Sequence, residues 1–500
     1  MEKKPKEKRL SQEDTPYLDK YVQYLKSNPT CFDVPGHKMG HFETDLSRKL
    51  TPLFEQYDVN APYGMDNLAY PKGVIKDSES LMAEAMHADH CLFSVNGTTG
   101  GILAMFLGCL SEKDKIILPG NVHKSVINGL ILSGAVPVFV SPYIDEEQGV
   151  ACQVRVEDYI QAMNENPDAK AVFVINPTYF GVTPDLKRLV REAHERSMIV
   201  MCDEAHGSNF YFSDELPVSA MDAKADISSV SFHKNSGSLT QSSVLLIRGK
   251  EVNTLDVRKA MMMLTSTSPN ALLLCSLDAS RKEMHFRGKE VIHHNIEMAA
   301  RARKAIQEIA GLSCYGKEYI DPELGKYDID RTKLVINVTG LGKYGYEAYK
   351  ELRSLYNIQA ELGEVNVILI LIGPGTRDQD IDYLIESLKD YSRRNYGQHK
   401  RRKFPHRDFH YPKTACYPRE GYDAPYKIIN LKDSIGEISA ETVMAYPPGI
   451  PLILPGEVFD QKILDMISFY HLEGGEILKD TSIGKIKVID RELWKPKKEE

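Results

Sequence analysis

The sequence predicts an α/β protein: one sheet with crossover helices, joined to smaller domains. Three observations predict this. At 500 residues the chain exceeds what a single hydrophobic core supports. Between about residues 80 and 250, short apolar or β-branched runs alternate with helical stretches. The residue types that carry chemistry fall at the ends of those runs, where open α/β sheets place their ligand crevice.

Taken in order, the predicted strands are 91–95, 115–118, 136–140, 171–175, 199–202, 227–231 and 243–247. An apolar helix is expected over 102–110 and another over 185–197, where Thr183-Pro184-Asp185 supplies a cap and first-turn residues. An amphipathic helix over 295–310 leads to a second unit with strands at 333–338 and 365–371 and helices at 346–355 and 378–393. The expected organisation is an arm over 1–50, a large domain over 51–295, a small α/β domain over 296–392, a basic linker over 393–414 and a C-terminal domain over 415–500.

Composition narrows the function classes. The chain is 42% hydrophobic and 26% charged with a formal net charge of −8, which gives no overall attraction to nucleic acid or anionic membrane. The basic stretch 393–407 is sparse in aromatic residues and reads as a solvated linker rather than a nucleic-acid patch. The basic N-terminus lacks an apolar segment behind it and no apolar run is long enough to cross a bilayer, so a cytoplasmic protein is expected. The eight cysteines form no CxxC pair. His87, His90 and Cys91 lack a fourth ligand and read as a helix end entering a buried strand, so no metal is expected.

Three segments carry chemistry. Ser94-Val95-Asn96-Gly97-Thr98-Thr99-Gly100-Gly101 joins a strand to an apolar helix; its glycines and helix N–H groups suit a phosphate, with the Thr98 and Thr99 hydroxyls as further donors. Neither the nucleoside-triphosphate lysine nor dinucleotide GxGxxG spacing is present. Asp203, directly after the strand 199–202, offers a carboxylate to a protonated ring nitrogen, although a turn aspartate has the same local look. Lys234, at the end of a later strand, is placed where desolvation frees its amine as a nucleophile. Phosphate cradle, ring carboxylate and amine, each at a strand end, are what pyridoxal phosphate requires of a protein.

The ordered set PGHK (35–38), NGTTGG (96–101), NVHKS (121–125), NPTYFGV (176–182), DEAHG (203–207), SFHKNSGSLTQSS (231–243), STSP (266–269) and YPPGIPLILPGE (446–457) resembles the bacterial Orn/Lys/Arg decarboxylase family from about residue 30 to 490. Its look is nearest to the short Gram-positive arginine decarboxylases; larger relatives carry an N-terminal wing for which this sequence has no room. The resemblance implies a PLP-dependent transferase fold of the aspartate aminotransferase type, with a mixed, mostly parallel sheet in the large domain and smaller α+β domains.

It also implies roles by position. Lys234 would hold pyridoxal 5′-phosphate as a Schiff base, and Asp203 would pair with its ring nitrogen. His123 would stack on the ring with Ala205 against the other face; Gly97, Thr98, Thr99, Ser231 and His233 would serve the phosphate. His206 would stand near the substrate, and Lys234 or His233 would return a proton to Cα. Thr267 or Ser268 would reach the phosphate of a neighbouring subunit, making the protein at least a homodimer. Asn235-Ser236 and Glu437 depart from the family pattern; Glu437 stands where relatives tend to have arginine.

The implied reaction is decarboxylation of a basic L-amino acid, arginine to agmatine for polyamine synthesis before lysine or ornithine. The rival readings are an aminotransferase or aldolase-like lyase, a PLP-fold binding or regulatory protein without catalysis, and a nucleic-acid binder. A long basic side chain calls for a distal anion, and Asp66, Glu437 and Glu441 are the sequence candidates.

Overall fold

A computed structural model describes residues 10–27, 29, 35, 38–39, 48–51, 53–398, 410–446, 449–473 and 475–495. Gly36 and His37 of PGHK, most of the basic stretch 393–407, and Pro447-Pro448 lie outside the described residues.

The centre is a seven-stranded sheet of β1 (His90–Ser94), β2 (Lys115–Pro119), β3 (Val136–Val140), β4 (Ala171–Ile175), β5 (Ile199–Glu204), β6 (Ile227–Val230) and β7 (Ser243–Ile247). Its order is β1-β7-β6-β5-β4-β2-β3. β7 runs antiparallel to both neighbours; the other pairings are parallel. The carboxyl ends of β1, β2, β4, β5 and β6 therefore share one edge with the start of β7. Alternation places the side chains. Val172, Val174, Val200 and Cys202 enter one apolar layer, while Ala171, Phe173, Ile199 and Met201 enter the layer on the opposite face. Such two-sided burial explains why these strands read as unbroken apolar runs.

Among the bounds that differ from the sequence expectation, two strand ends and one helix start bear on the carboxyl edge of the sheet. β5 continues through Asp203 and Glu204, whose backbones pair in register with Ser229 and Val230. Pairing on both sides at the sheet centre outweighs the low strand preference of acidic residues. Ser231 is not the last residue of a strand but precedes a one-turn helix, Phe232–Asn235, which carries Lys234. The glycine-rich segment is the opening of helix α1 (Gly97–Cys109) rather than a loop before it. Gly101 is demanded there by packing, since a Cβ would collide with the Ser229 hydroxyl of β6.

Helix α2 (Lys124–Ser133) follows β2. Helix α3 (Leu186–His194) is capped by the Asp185 carboxylate, which accepts the Arg188 N–H at 3.2 Å. The expected helix over 295–310 is the last part of a much longer one, α4 (Ala271–Gln307), in which Asn295 is buried mid-helix. Its first half packs Leu274, Leu277 and Met284 against the large unit, and its second half packs Met298, Ala302 and Ile306 into the next core. One rod of 37 residues thus belongs to both cores.

That second core covers a four-stranded sheet ordered Ser313–Cys314, Lys333–Asn337, Val367–Leu371, Leu362–Gly363, with helices Gly345–Tyr356 and Asp378–Asn395. The C-terminal residues build small sheets and helix Gln461–Leu472, whose core takes in Tyr344, Tyr346 and Val365 of the preceding unit. Arg393 and Arg394, which open the basic stretch, pair with Asp390 on their own helix. Among the described residues no helix is long and apolar enough to cross a membrane.

Candidate active site

A cavity of about 460 Å³ opens at the carboxyl edge of the sheet. Gly97, Thr98, Thr99, His123, Asp203, Ala205, His206, Ser231, His233 and Lys234 all line it. They arrive from four strand ends far apart in sequence.

Helix α1 presents its N-terminus to the cavity. Asn96 at its cap makes no side-chain cap bond, and the first backbone bond is the Gly100 N–H to the Asn96 carbonyl at 3.1 Å. The Thr98 and Thr99 N–H groups belong to the turn that has no intrahelical acceptor. The Thr98 and Ser231 hydroxyls hydrogen-bond each other beside them. Gly97 has φ +64°, and a Cβ there would meet nothing within 4 Å, so the backbone is open to an incoming group. His233 donates Nδ1–H to the Ser242 carbonyl at 2.9 Å, which leaves Nε2 as the ring's other nitrogen.

His123 is fixed by its place before α2: its Nδ1 accepts the Ser125 N–H at 3.2 Å. Burial pushes its pKa down, against the pull of Asp203. Asp203 is 5% exposed and accepts the Ala205 N–H at 2.9 Å. Burial raises its pKa, and among the described residues no cation is paired with it. Lys234 is held in the cavity wall, where burial lowers its pKa. Its ammonium reaches Nε2 of His206 at 2.9 Å and lies 5.3 Å from the centre of the Tyr179 ring. Burial, then the charge of Lys234, holds His206 well below the usual histidine range. A neutral ring accepting at Nε2 carries its proton on Nδ1, and Nδ1 is buried without a hydrogen-bond partner.

Several residues near this cavity had no role assigned from sequence. Tyr179 tilts against His206 with ring centres 4.2 Å apart, and its hydroxyl donates to Glu361 at 2.7 Å. Lys333 of the second unit, 3% exposed, donates to the Tyr179 carbonyl at 2.9 Å. Gly449 and Ile450 bring the C-terminal unit to the cavity wall. Tyr179 and Ile450 lie in the quoted segments NPTYFGV and YPPGIPLILPGE, the only signal that could have drawn attention to them. Glu204, the neighbour of Asp203, faces the opposite way into the protein. It accepts from Asn176, the Ala220 N–H and Ser228 at 2.7–2.9 Å and from Tyr211, and burial pushes its pKa up to about 7.

Five other candidates are not brought to the cavity of their own chain. Thr267 and Ser268 are exposed between helix Thr254–Leu264 and α4. Asp66 is committed locally: its carboxylate accepts N–H groups of Asn67, Lys72, Gly73 and Ile75 at 2.8–3.2 Å, leading into helix Val74–Ala85. Glu441, 0% exposed, accepts the Asp480, Thr481 and Lys487 N–H groups at 2.5–3.1 Å and ties the C-terminal strands together. Glu437 stands 3.9 Å from Arg491. None of the three carboxylates lines this cavity in its own chain: backbone donors of their own units hold Asp66 and Glu441, and Glu437 turns toward Arg491. His87 of the tentative metal cluster pairs with Asp222, and Cys91 is core.

Comparison with known proteins accounts for this arrangement. Residues 15–380 match the family model described as Orn/Lys/Arg decarboxylase, major domain, and residues 408–474 match the C-terminal domain of the same family. The chain belongs to the Orn/Lys/Arg decarboxylase family. It is 39% identical to an arginine decarboxylase of Bacillus subtilis, over 96% of this chain and 99% of that one. An arginine decarboxylase of Halalkalibacterium halodurans is also 39% identical, over 91% and 93% of the two chains. In fold the chain is similar to a lysine decarboxylase from Francisella novicida, with TM-score 0.82, 18% identity and coverage of 95% and 81%. A ureidoglycine-glyoxylate aminotransferase of Bacillus subtilis shares the fold over 64% of this chain, with TM-score 0.51. The mixed, mostly parallel sheet is that of the fold-type I PLP enzymes, as the family resemblance implied.

Proposed function

We propose that this protein decarboxylates L-arginine to agmatine and CO₂ on pyridoxal 5′-phosphate, in the cytoplasm and as part of polyamine synthesis. The observation that carries the reading is the meeting in one cavity of a half-buried lysine, a buried carboxylate with no ion-pair partner among the described residues, and an uncapped helix N-terminus. The residues fit the cofactor: the α1 N-terminus with Thr98, Thr99 and Ser231 would hold its phosphate, Asp203 its ring nitrogen, Lys234 its aldehyde carbon, and His123 and Ala205 its faces. A ring cation beside Asp203 would supply the positive partner that this buried carboxylate lacks. Arginine is preferred to lysine or ornithine because the relatives at 39% identity are arginine decarboxylases.

When bound, the cofactor supplies the electron sink for the pair released as the Cα–carboxylate bond breaks. The chain's own residues do the rest. Asp203, buried with no ion-pair partner among the described residues, would keep a proton on the ring nitrogen. Lys234 Nζ, its pKa lowered by burial, supplies the amine and afterwards a proton for Cα. His206 Nε2 accepts from Nζ and aims it. Ile175, Phe180 and Ile450 give apolar walls that keep water from the reacting carbon. Exposed Thr267 and Ser268 are free to reach a second copy's phosphate, which supports a shared site in a homodimer or larger assembly. The test is CO₂ release from arginine, lysine and ornithine by purified protein, with its visible absorbance followed on borohydride reduction. Faster turnover of lysine than of arginine would move the substrate; a colourless protein that cannot be reconstituted would sink the enzyme reading.

A further inference from the structure

We infer that Glu361 is the specificity residue that holds the substrate's distal cation at the mouth of the cavity. The inference rests on the decarboxylase reading and names the anion that reading requires.

Glu361 lies just before strand Leu362–Gly363 of the second unit, so nothing in the cofactor motifs points to it. Its side chain is exposed, and among the described residues no lysine, arginine or histidine pairs with it. What it has is a tyrosine: the Tyr179 hydroxyl donates to Oε1 at 2.7 Å. Tyr179 is pinned at its other end by Lys333, which donates to its carbonyl at 2.9 Å, and its ring lies 5.3 Å from Lys234 Nζ. These contacts confine the carboxylate to within about 11 Å of Nζ, and an extended arginine spans roughly 9 Å from α-nitrogen to outer guanidinium nitrogens, one hydrogen bond short of that limit.

The alternatives on the cavity side are few. Among the described residues, Asp203 and Glu361 are the two carboxylates whose charge reaches Lys234. Asp203 sits at the closed end, where the cofactor ring needs it. A substrate whose α-nitrogen replaces the lysine amine therefore meets Glu361 with its far end. Oε1 is already oriented by Tyr179, so a guanidinium can take both carboxylate oxygens in parallel hydrogen bonds, with the tyrosine keeping the plane of the carboxylate fixed. Ornithine, with a shorter side chain and no guanidinium, reaches less far and offers no parallel pair of donors.

The test compares wild type with Glu361→Gln in the reconstituted holoenzyme, using agmatine and its uncharged urea isostere as inhibitors of arginine decarboxylation. The expected result is a rise of about 10- to 100-fold in the agmatine inhibition constant and in KM for arginine. The urea isostere's constant, kcat and the cofactor absorbance should each stay within about threefold, because only a charge contact is lost. If both inhibitors weaken together, Glu361 acts by supporting Tyr179; if neither weakens, it does not touch the cation. Either result overturns the assignment. Wild type that releases CO₂ from none of the three basic amino acids would instead refute the decarboxylase reading itself.

Discussion

Nζ of Lys234 and Nε2 of His206 lie 2.9 Å apart, inside a wall that burial makes hostile to charge on either. The histidine is driven neutral and accepts, so the lysine has a donor direction and a proton that it can release. This pair places the reactive amine, and it draws on β5 and the turn after β6, which are parallel neighbours in the sheet.

Lys234→Ala should remove the visible absorbance of the bound cofactor and lower CO₂ release by at least about 10³-fold. No other lysine lines the cavity among the described residues. Absorbance spectra and a CO₂ assay check this, and wild-type turnover in the variant would send the search to another lysine.

Asp203→Asn should separate stability from rate. The carboxylate is buried without a paired cation, so its neutral amide should leave the cofactor-free protein at least as stable as wild type. The rate should fall by about 10²-fold or more, as the ring nitrogen loses its partner. Thermal melts of the apo forms beside CO₂ release measure both; a variant with normal turnover would remove Asp203 from the site.

Glu204 should make stability fall as the solution turns from acid to neutral. Burial raises its pKa from 4.5 to about 7. The contribution is present in full below the unfolded value and is lost as pH rises through the folded one, roughly 3 kcal/mol in all. Glu204→Gln should melt lower at acid pH, where it leaves donors unmet, and should flatten the slope between about pH 5 and 7. Denaturation across that range tests it; an unchanged slope would assign the dependence to other buried acids.

Glu441→Gln should cost about 2–3 kcal/mol of stability, because a fully buried carboxylate gives up charge-assisted bonds to three backbone N–H groups. KM for arginine should not change. A raised KM with unchanged melting would restore Glu441 as a substrate contact.

A shared site predicts complementation. Lys234→Ala and a double Thr267→Ala, Ser268→Ala variant should each be impaired, and mixed, reassembled subunits should regain part of the activity. No recovery, with exchange of labelled subunits demonstrated, would confine the site to one chain.

Most strands of the large sheet were legible in the sequence because they are buried on both faces and read as short apolar or β-branched runs; the edge strand Val136–Val140 is only half-buried at its centre. Lys234, Asp203, His123 and the glycine-rich segment were legible because their chemistry is unusual at strand ends and their order matches one family. The extent of α4 was not: its exposed positions break the apolar pattern, and only two cores sharing one rod keep it continuous. Nor were the duties of the carboxylates. Asp66, Glu437 and Glu441 look as available as Glu361 when written in a line, since a sequence does not say which backbone N–H groups turn toward an acid. Chain order determined what chemistry the protein carries. Tertiary structure decided which carboxylates are already held, because packing chooses the partners: Asp66 meets N–H groups one to nine residues away, Glu441 meets N–H groups 39 to 46 residues away, and Glu361 meets Tyr179 across 182.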